Sequence, residues 1–229
     1  MPVCRQFVAG TLFSSVEKCA ELRSIDMPAI GITGGIATGK STFCQSLREI
    51  LPSAKFFDAD DAARQLVDLE EVKQELLAQF GLGIFLRSGD LNREAVRAII
   101  FQDATKKKAL EQILHPRIRR QWSVEADRHR KSSEFFFADI PLLYETGGET
   151  LCDRVVVVAC SQDIQLRNLR RKMEIERAGA EAMIKSQMPL EEKIKRADHV
   201  VWNNGDRTVL AQQAASLAHL WRQEKWTTV

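Results

Sequence analysis

The stretch Gly34-Gly35-Ile36-Ala37-Thr38-Gly39-Lys40-Ser41, continued by Thr42, places glycines, a lysine and hydroxyl residues at spacings suited to holding a phosphate. Glycines let the chain turn so that successive backbone amides point inward at an anion. A helix beginning at the end of such a loop adds the positive end of its dipole. Lys40 can reach β- and γ-phosphates, and the Ser41 hydroxyl can coordinate Mg²⁺. The stretch fits the pattern G-x-x-x-x-G-K-[ST], which has meaning only between a strand and a helix. That context is present: the apolar run Ala29-Ile30-Gly31-Ile32-Thr33 precedes it, and Phe43, Leu47, Ile50 and Leu51 follow along one helical face. The competing reading is a glycine turn with no ligand.

Three carboxylates stand at the ends of further apolar runs. Asp58 and Asp60 follow Phe56-Phe57, where residues at the carboxyl end of a parallel strand face the ligand crevice. One could accept a proton from an attacking hydroxyl while the other holds a metal-bound water. Alternatively, Asp60 or Asp61 caps the helix that contains Ala62, Ala63 and Leu66. Asp139 ends the run Phe135–Ala138 and is similar to the acidic strand end that helps hold Mg²⁺ beside such loops; its other reading is turn chemistry ahead of Pro141. Taken alone, His115 before Pro116 reads as a packed or capping histidine. Asn203-Asn204-Gly205 taken alone reads as a tight turn.

These residues need a frame, and the chain alternates short apolar runs with segments of helical period, the pattern of an α/β fold with a parallel sheet. Five strands are expected, at Ala29–Thr33, Lys55–Phe57, Phe135–Ala138, Val155–Val158 and His199–Trp202, flanked by helices. More than 70 residues of helical periodicity separate the second strand from the third, far beyond what a crossover needs, so a helical insertion is expected over about 62–131. A second, cation-rich helical insertion over about 167–193 reads as a mobile lid, with an ordinary charged amphipathic helix as the alternative. The fold is thus expected to be a P-loop NTPase domain over residues 27–229, with residues 1–26 an extension outside its core.

Composition excludes several classes. Among 229 residues, 33 Lys and Arg face 31 Asp and Glu, a net charge of +2 that argues against a nucleic-acid partner. The longest apolar runs, Phe135–Ala138 and Val155–Cys160, are too short for a membrane span. In residues 1–26 the charges cancel and no uninterrupted apolar core appears, unlike a signal peptide. Five scattered cysteines without C-x-x-C spacing argue against disulfides or zinc and for the cytoplasm. Oligomeric state is left open.

Together the motifs resemble dephospho-CoA kinases. The resemblance runs through Gly31–Gly35, Gly39–Thr42, Asp58-Ala59-Asp60 with Ala63-Arg64, Leu91-Asn92-Arg93, Ile100-Phe101 and Leu114-His115-Pro116-Arg117-Ile118. It continues at Ile140-Pro141-Leu142-Leu143-Tyr144-Glu145, Gln187, Ala197-Asp198 and Asn203-Asn204-Gly205, in the family's order. It implies transfer of the ATP γ-phosphate to the 3′-hydroxyl of dephospho-CoA, with Mg²⁺. By the same resemblance, Asp60 is the general base and Asp58 its support, Arg64 and His115 line the acceptor site, and Asn203, Asn204 and Gly205 lie near adenine. Three departures stand out: Ala37 where the family commonly has glycine, Lys172-Met173 where its lid commonly carries Arg-Asp, and the extension 1–26. Lysine lacks arginine's bidentate fork, so Arg171 or Arg167 is expected to clamp phosphate instead. The alternatives are a nucleoside or nucleotide kinase of the same fold, or a non-kinase nucleotide switch. The long insertion and basic lid favour a kinase, since a switch needs neither.

Overall fold

Short runs of aliphatic and aromatic residues that are apolar on both faces of a strand can be satisfied only in a sheet covered on both sides. The computed structural model, which describes residues 28–224 apart from Lys131 and Ser133, shows such a sheet; the extension 1–26 lies outside the described residues. Its strands are β1 (Ala29–Gly34), β2 (Lys55–Asp58), β3 (Phe136–Asp139), β4 (Arg154–Ala159) and β5 (His199–Trp202). They pair in parallel in the order β2-β3-β1-β4-β5. Asp58 and Asp139, read from sequence as residues following their strands, are the last residues of β2 and β3 and stand opposite each other in register.

Side chains alternate across the sheet with the strand period of two. Ile30, Ile32, Phe137, Val156 and Val158 face one layer, where helix α1 (Lys40–Ile50) and helix α9 (Arg207–Gln223) contribute Phe43, Leu47, Leu210 and Trp221. Ala29, Phe136, Ala138, Val155 and Val157 face the other, against Trp122 and Ala126 of the long helix α5 (Ala104–Arg130) and Ile194 of the short helix α8 (Leu190–Arg196).

Between β2 and β3 the chain forms α2 (Ala59–Leu66), α3 (Glu70–Phe80), a 3₁₀ turn at Leu82–Ile84, α4 (Arg93–Gln102) and α5. Away from the sheet these bury a small core of Val67, Val72, Leu76, Ile84, Val96 and Ile113. After β4 come α6 (Gln162–Met173) and α7 (Arg177–Lys185), whose Leu166, Leu169 and Ala180 pack together with Ile36 and Ala37 of the glycine loop. Carboxylates tie the strand entrances: Asp153 accepts from the Ala29 amide at 2.7 Å and from Arg130, and Asp198 accepts from the Val155 amide at 2.7 Å. No helix among the described residues is long and apolar enough to cross a membrane.

The order places β1 between β3 and β4, so the chain crosses to opposite sides of it and opens a crevice at the carboxyl ends of the strands. That crevice depends on the α9 layer holding the sheet's shape. Trp221 is fully buried against Phe135 and Phe137. Trp221→Ala is expected to cost about 3–5 kcal/mol, read as a lower denaturant midpoint in equilibrium unfolding.

Candidate active site

The glycine loop leaves β1 at Gly34 and enters α1 at Lys40. Gly39, the residue before the helix, has φ 97°, and a methyl there would fall 2.0 Å from the Asn203 side-chain nitrogen. Only glycine fits on either ground. Because Gly39 offers no side-chain cap and the first turn holds no acid, the opening amides of α1 are left for an anion. Ala37 sits at φ 59°, a left-handed angle that costs an L-residue roughly 1–2 kcal/mol. Its methyl is packed against the Leu166 cluster, which offsets part of that cost.

Each carbonyl of the loop is held by a side chain. Lys193 donates to the Gly34 oxygen at 3.3 Å, and the Thr38 hydroxyl to that of Gly35 at 2.9 Å. Gln165 donates to Ile36 at 2.7 Å, Asn168 to Ala37 at 3.3 Å and Asn203 to Thr38 at 2.9 Å. In a planar trans peptide the following N–H points opposite to the carbonyl. Fixing these five carbonyls turns the amides of Gly35, Ile36, Ala37 and Gly39 away from the tethers, while the Thr38 amide folds back on the Gly35 carbonyl at 3.4 Å. The Ile36 amide accordingly meets the side-chain oxygen of Gln187, a residue of the cavity wall, at 2.9 Å.

That cavity, of about 1070 Å³, runs from the loop and Lys40, Ser41 and Thr42 past Asp60 to an apolar wall on α5 formed by Leu110, Leu114, Pro116, Ile118 and Trp122. Lys40 is ion-paired to Asp139, whose other oxygen accepts from the buried Cys44 thiol at 3.3 Å. Burial, and then the Asp139 charge, push that thiol well above its ordinary range, so it stays protonated and donates. Asp139 thus fixes the lysine from the end of β3.

Asp58 is the cap of α2: its Oδ1 accepts from the Asp60 amide at 2.9 Å and the Asp61 amide at 3.0 Å. The expectation that Asp60 or Asp61 caps this helix is corrected. Asp58 ends the strand in extended conformation and reaches forward over the first turn, which leaves the Asp60 carboxylate on the cavity wall. Removal of water by the surrounding protein, with the nearby charges of Asp58 and Asp139, raises the Asp60 carboxyl above the usual range, against an opposing pull from Lys40. A raised pKa suits a group that must take up a proton.

His115 lies inside α5, half-buried in the cavity wall, and burial lowers its pKa, so it is neutral at pH 7. The adjacent Pro116 cannot donate to the carbonyl one turn earlier; the Arg117 guanidinium covers the neighbouring Ile113 carbonyl at 2.7 Å. Arg171 and Lys172 line the cavity, whereas Arg167 is exposed and outside its wall. Arg64 is exposed, paired with Asp61, and also outside the wall. Asn203 works beneath the loop, Asn204 accepts from the Ser161 amide at 2.8 Å, and Gly205 is exposed; none of the three lines this cavity. No group of three or more potential metal-ligating His, Cys, Asp or Glu side chains occurs among the described residues. The tethers Gln165, Asn168 and Lys193 were not foreseen from sequence. They act across separations of 129 to 159 residues, and no local pattern marks them.

The family model for dephospho-CoA kinase matches residues 28–208. A dephospho-CoA kinase of Geobacillus kaustophilus is 40% identical over 195 residues, spanning 84% of this chain and 96% of the relative. Among solved structures, TT1252 from Thermus thermophilus superposes with a TM-score of 0.72 at 32% identity, covering 86% of this chain and 98% of that one. A dephospho-CoA kinase from Campylobacter jejuni gives 0.61 at 26%, covering 85% and 97%.

The two aspartates should separate in a stability measurement. Asp58→Ala removes the cap and is expected to lower stability by about 1 kcal/mol. Asp60→Ala leaves the cap intact. Because the folded state raises the Asp60 pKa, its ionised form is disfavoured on folding, so Asp60→Ala should match or exceed wild-type stability near neutral pH. That advantage should fade as pH falls below the ordinary carboxylate value. Thermal melts of both variants at neutral and acidic pH check this.

Proposed function

The chain belongs to the dephospho-CoA kinase family, and from that premise we propose how its own residues carry out the transfer. The protein is an ATP-dependent phosphotransferase that moves the ATP γ-phosphoryl group to the 3′-hydroxyl of dephospho-CoA, forming coenzyme A. The observation carrying the residue assignment is that the loop residues, Lys40 and Asp60 line one continuous cavity.

In the proposed mechanism the amides of Gly35, Ile36, Ala37 and Gly39 and the opening of α1 cradle the β- and γ-phosphates, with Lys40 as a point charge on them. Asp60 orients the acceptor hydroxyl and takes its proton as the new P–O bond forms and ADP leaves. Its raised pKa supports this role. Asp58 supports it indirectly, by fixing the first turn on which Asp60 stands. Arg171 and Lys172 approach the transferring phosphoryl from the lid side, His115 contacts the acceptor as a neutral hydrogen-bonding group, and the apolar α5 wall takes the acceptor's extended arm. Arg64 reaches the acceptor only by leaving Asp61. Catalysis on this reading is positioning and charge neutralisation.

Mg²⁺ bound with the nucleotide would supply charge neutralisation between the β- and γ-phosphates. The donor set suits it: Mg²⁺ keeps several waters and takes one or two protein oxygens beside phosphates. Here Ser41 offers a hydroxyl in the cavity wall and Asp139 a carboxylate at the neighbouring strand end. Ser41 would hold the ion, and Asp139, already engaged with Lys40 and Cys44, would support it from the strand end.

The test is Asp60→Asn, assayed with ATP, Mg²⁺ and dephospho-CoA. The amide keeps the shape but cannot accept the proton, and loss of a general base costs roughly 10²–10⁴ in rate. We expect that fall in kcat with unchanged KM for ATP. The wild type should lose activity on acidification at a pH above the ordinary carboxylate range, because the base must be ionised and its pKa is raised. Wild-type kcat in Asp60→Asn would remove Asp60 from the mechanism.

A further inference from the structure

Lys193 has no exposed surface at all. A buried ammonium is costly unless paired and hydrogen-bonded, and this one is both: Glu145 lies at 2.8 Å, the Pro141 carbonyl at 3.0 Å and the Gly34 carbonyl at 3.3 Å. Three acceptors match the three N–H donors of a lysine. Replacing a buried ion pair by apolar side chains of similar volume is often neutral or stabilising, so the packing of α8 alone does not call for a charge here.

What an apolar side chain could not do is hold the two carbonyls. The Gly34 oxygen opens the glycine loop, and fixing it turns the Gly35 amide to the opposite side. The Gly34 backbone is already pressed against β4, where an added Cβ would lie 2.4 Å from the Val158 carbonyl, so this peptide is set from both directions. Pro141 stands two residues beyond Asp139, and its carbonyl also accepts from the Thr33 hydroxyl at 3.1 Å. One ammonium thus sets the start of the phosphate loop and the exit of the strand whose carboxylate holds Lys40. Its partner Glu145 also accepts from the Met188 amide at 3.0 Å, next to the Gln187 that meets the Ile36 amide. The Lys193–Glu145 pair therefore joins the loop, the end of β3 and the segment leading out of the lid.

We propose that Lys193 is a positioning residue for the phosphate site, acting through the Gly34–Gly35 peptide, with Glu145 retained to hold its charge in the interior. The proposal rests on the reading of the loop as the ATP site. Wild-type binding of a fluorescent ATP analogue tests that reading separately from the role of Lys193.

The test compares the wild type with Lys193→Met and with the double variant Lys193→Met/Glu145→Gln, by thermal melting, titration with the fluorescent ATP analogue, and steady-state kinetics. Lys193→Met strands the Glu145 charge and should melt lower. The double variant removes both charges and is expected to regain the wild-type melting temperature. It should nevertheless bind the analogue at least tenfold more weakly and show a matching rise in KM for ATP, with KM for dephospho-CoA within twofold of wild type. A double variant with wild-type melting, analogue affinity and KM for ATP would overturn the proposal. So would one that fails to regain wild-type melting, since the pair would then serve the fold rather than the loop.

Discussion

Five successive carbonyls, Gly34 through Thr38, are each held by a side chain, and of the amides that follow them all but that of Thr38 are turned away from these tethers. This is the constraint on which the rest of the molecule depends. A single neutral hydrogen bond contributes only about 1 kcal/mol net, and what matters here is direction rather than energy. One donor is the loop's own Thr38; the other four come from α6, α8 and the turn after β5, all late in the chain, while the loop they hold is near its beginning. The phosphate site therefore exists only once the parallel sheet has brought both halves of the sequence together.

The carboxylates obey the same geometry. Parallel pairing in register puts Asp58 opposite Asp139, and the switch of direction at β1 sets Asp139 beside Lys40. Each then takes a different task according to what it meets. Asp139 meets a lysine and a thiol and holds the loop's charge in place. Asp58 meets two free amides and caps a helix. Asp60, two residues on and spared from capping, keeps its carboxylate on the cavity, where its surroundings and the neighbouring carboxylates make it more basic.

Much of this was legible in the sequence. The five strands follow from aliphatic and aromatic runs, because no other element buries both faces of so short a segment. The glycine loop follows from spacing, whereas Ala37, expected at an angle ordinary for alanine, instead keeps a left-handed one at φ 59°. Assigning the cap to Asp60 or Asp61 failed because strand β2 runs one residue further than its apolar pair, which moves the helix boundary back to Asp58. The resemblance that names Arg64 and Arg167 does not show their present partners: Arg64 is paired with Asp61, three residues before it on the same helix, and Arg167 faces solvent from α6. The tethers were invisible for a different reason: a glutamine or asparagine on an amphipathic helix carries no mark of the distant carbonyl it will meet.

The central claim is that the loop presents its amides to the phosphates because its carbonyls are fixed elsewhere. Amide resonances of residues 35–41, followed by two-dimensional NMR during titration with a non-hydrolysable ATP analogue and Mg²⁺, test it most directly. The account predicts large downfield proton shifts at Gly35, Ile36, Ala37 and Gly39 as each donates to a phosphate oxygen, with Ile36 exchanging its bond to Gln187 for one to the nucleotide. Saturation of binding with these amides unmoved would contradict it.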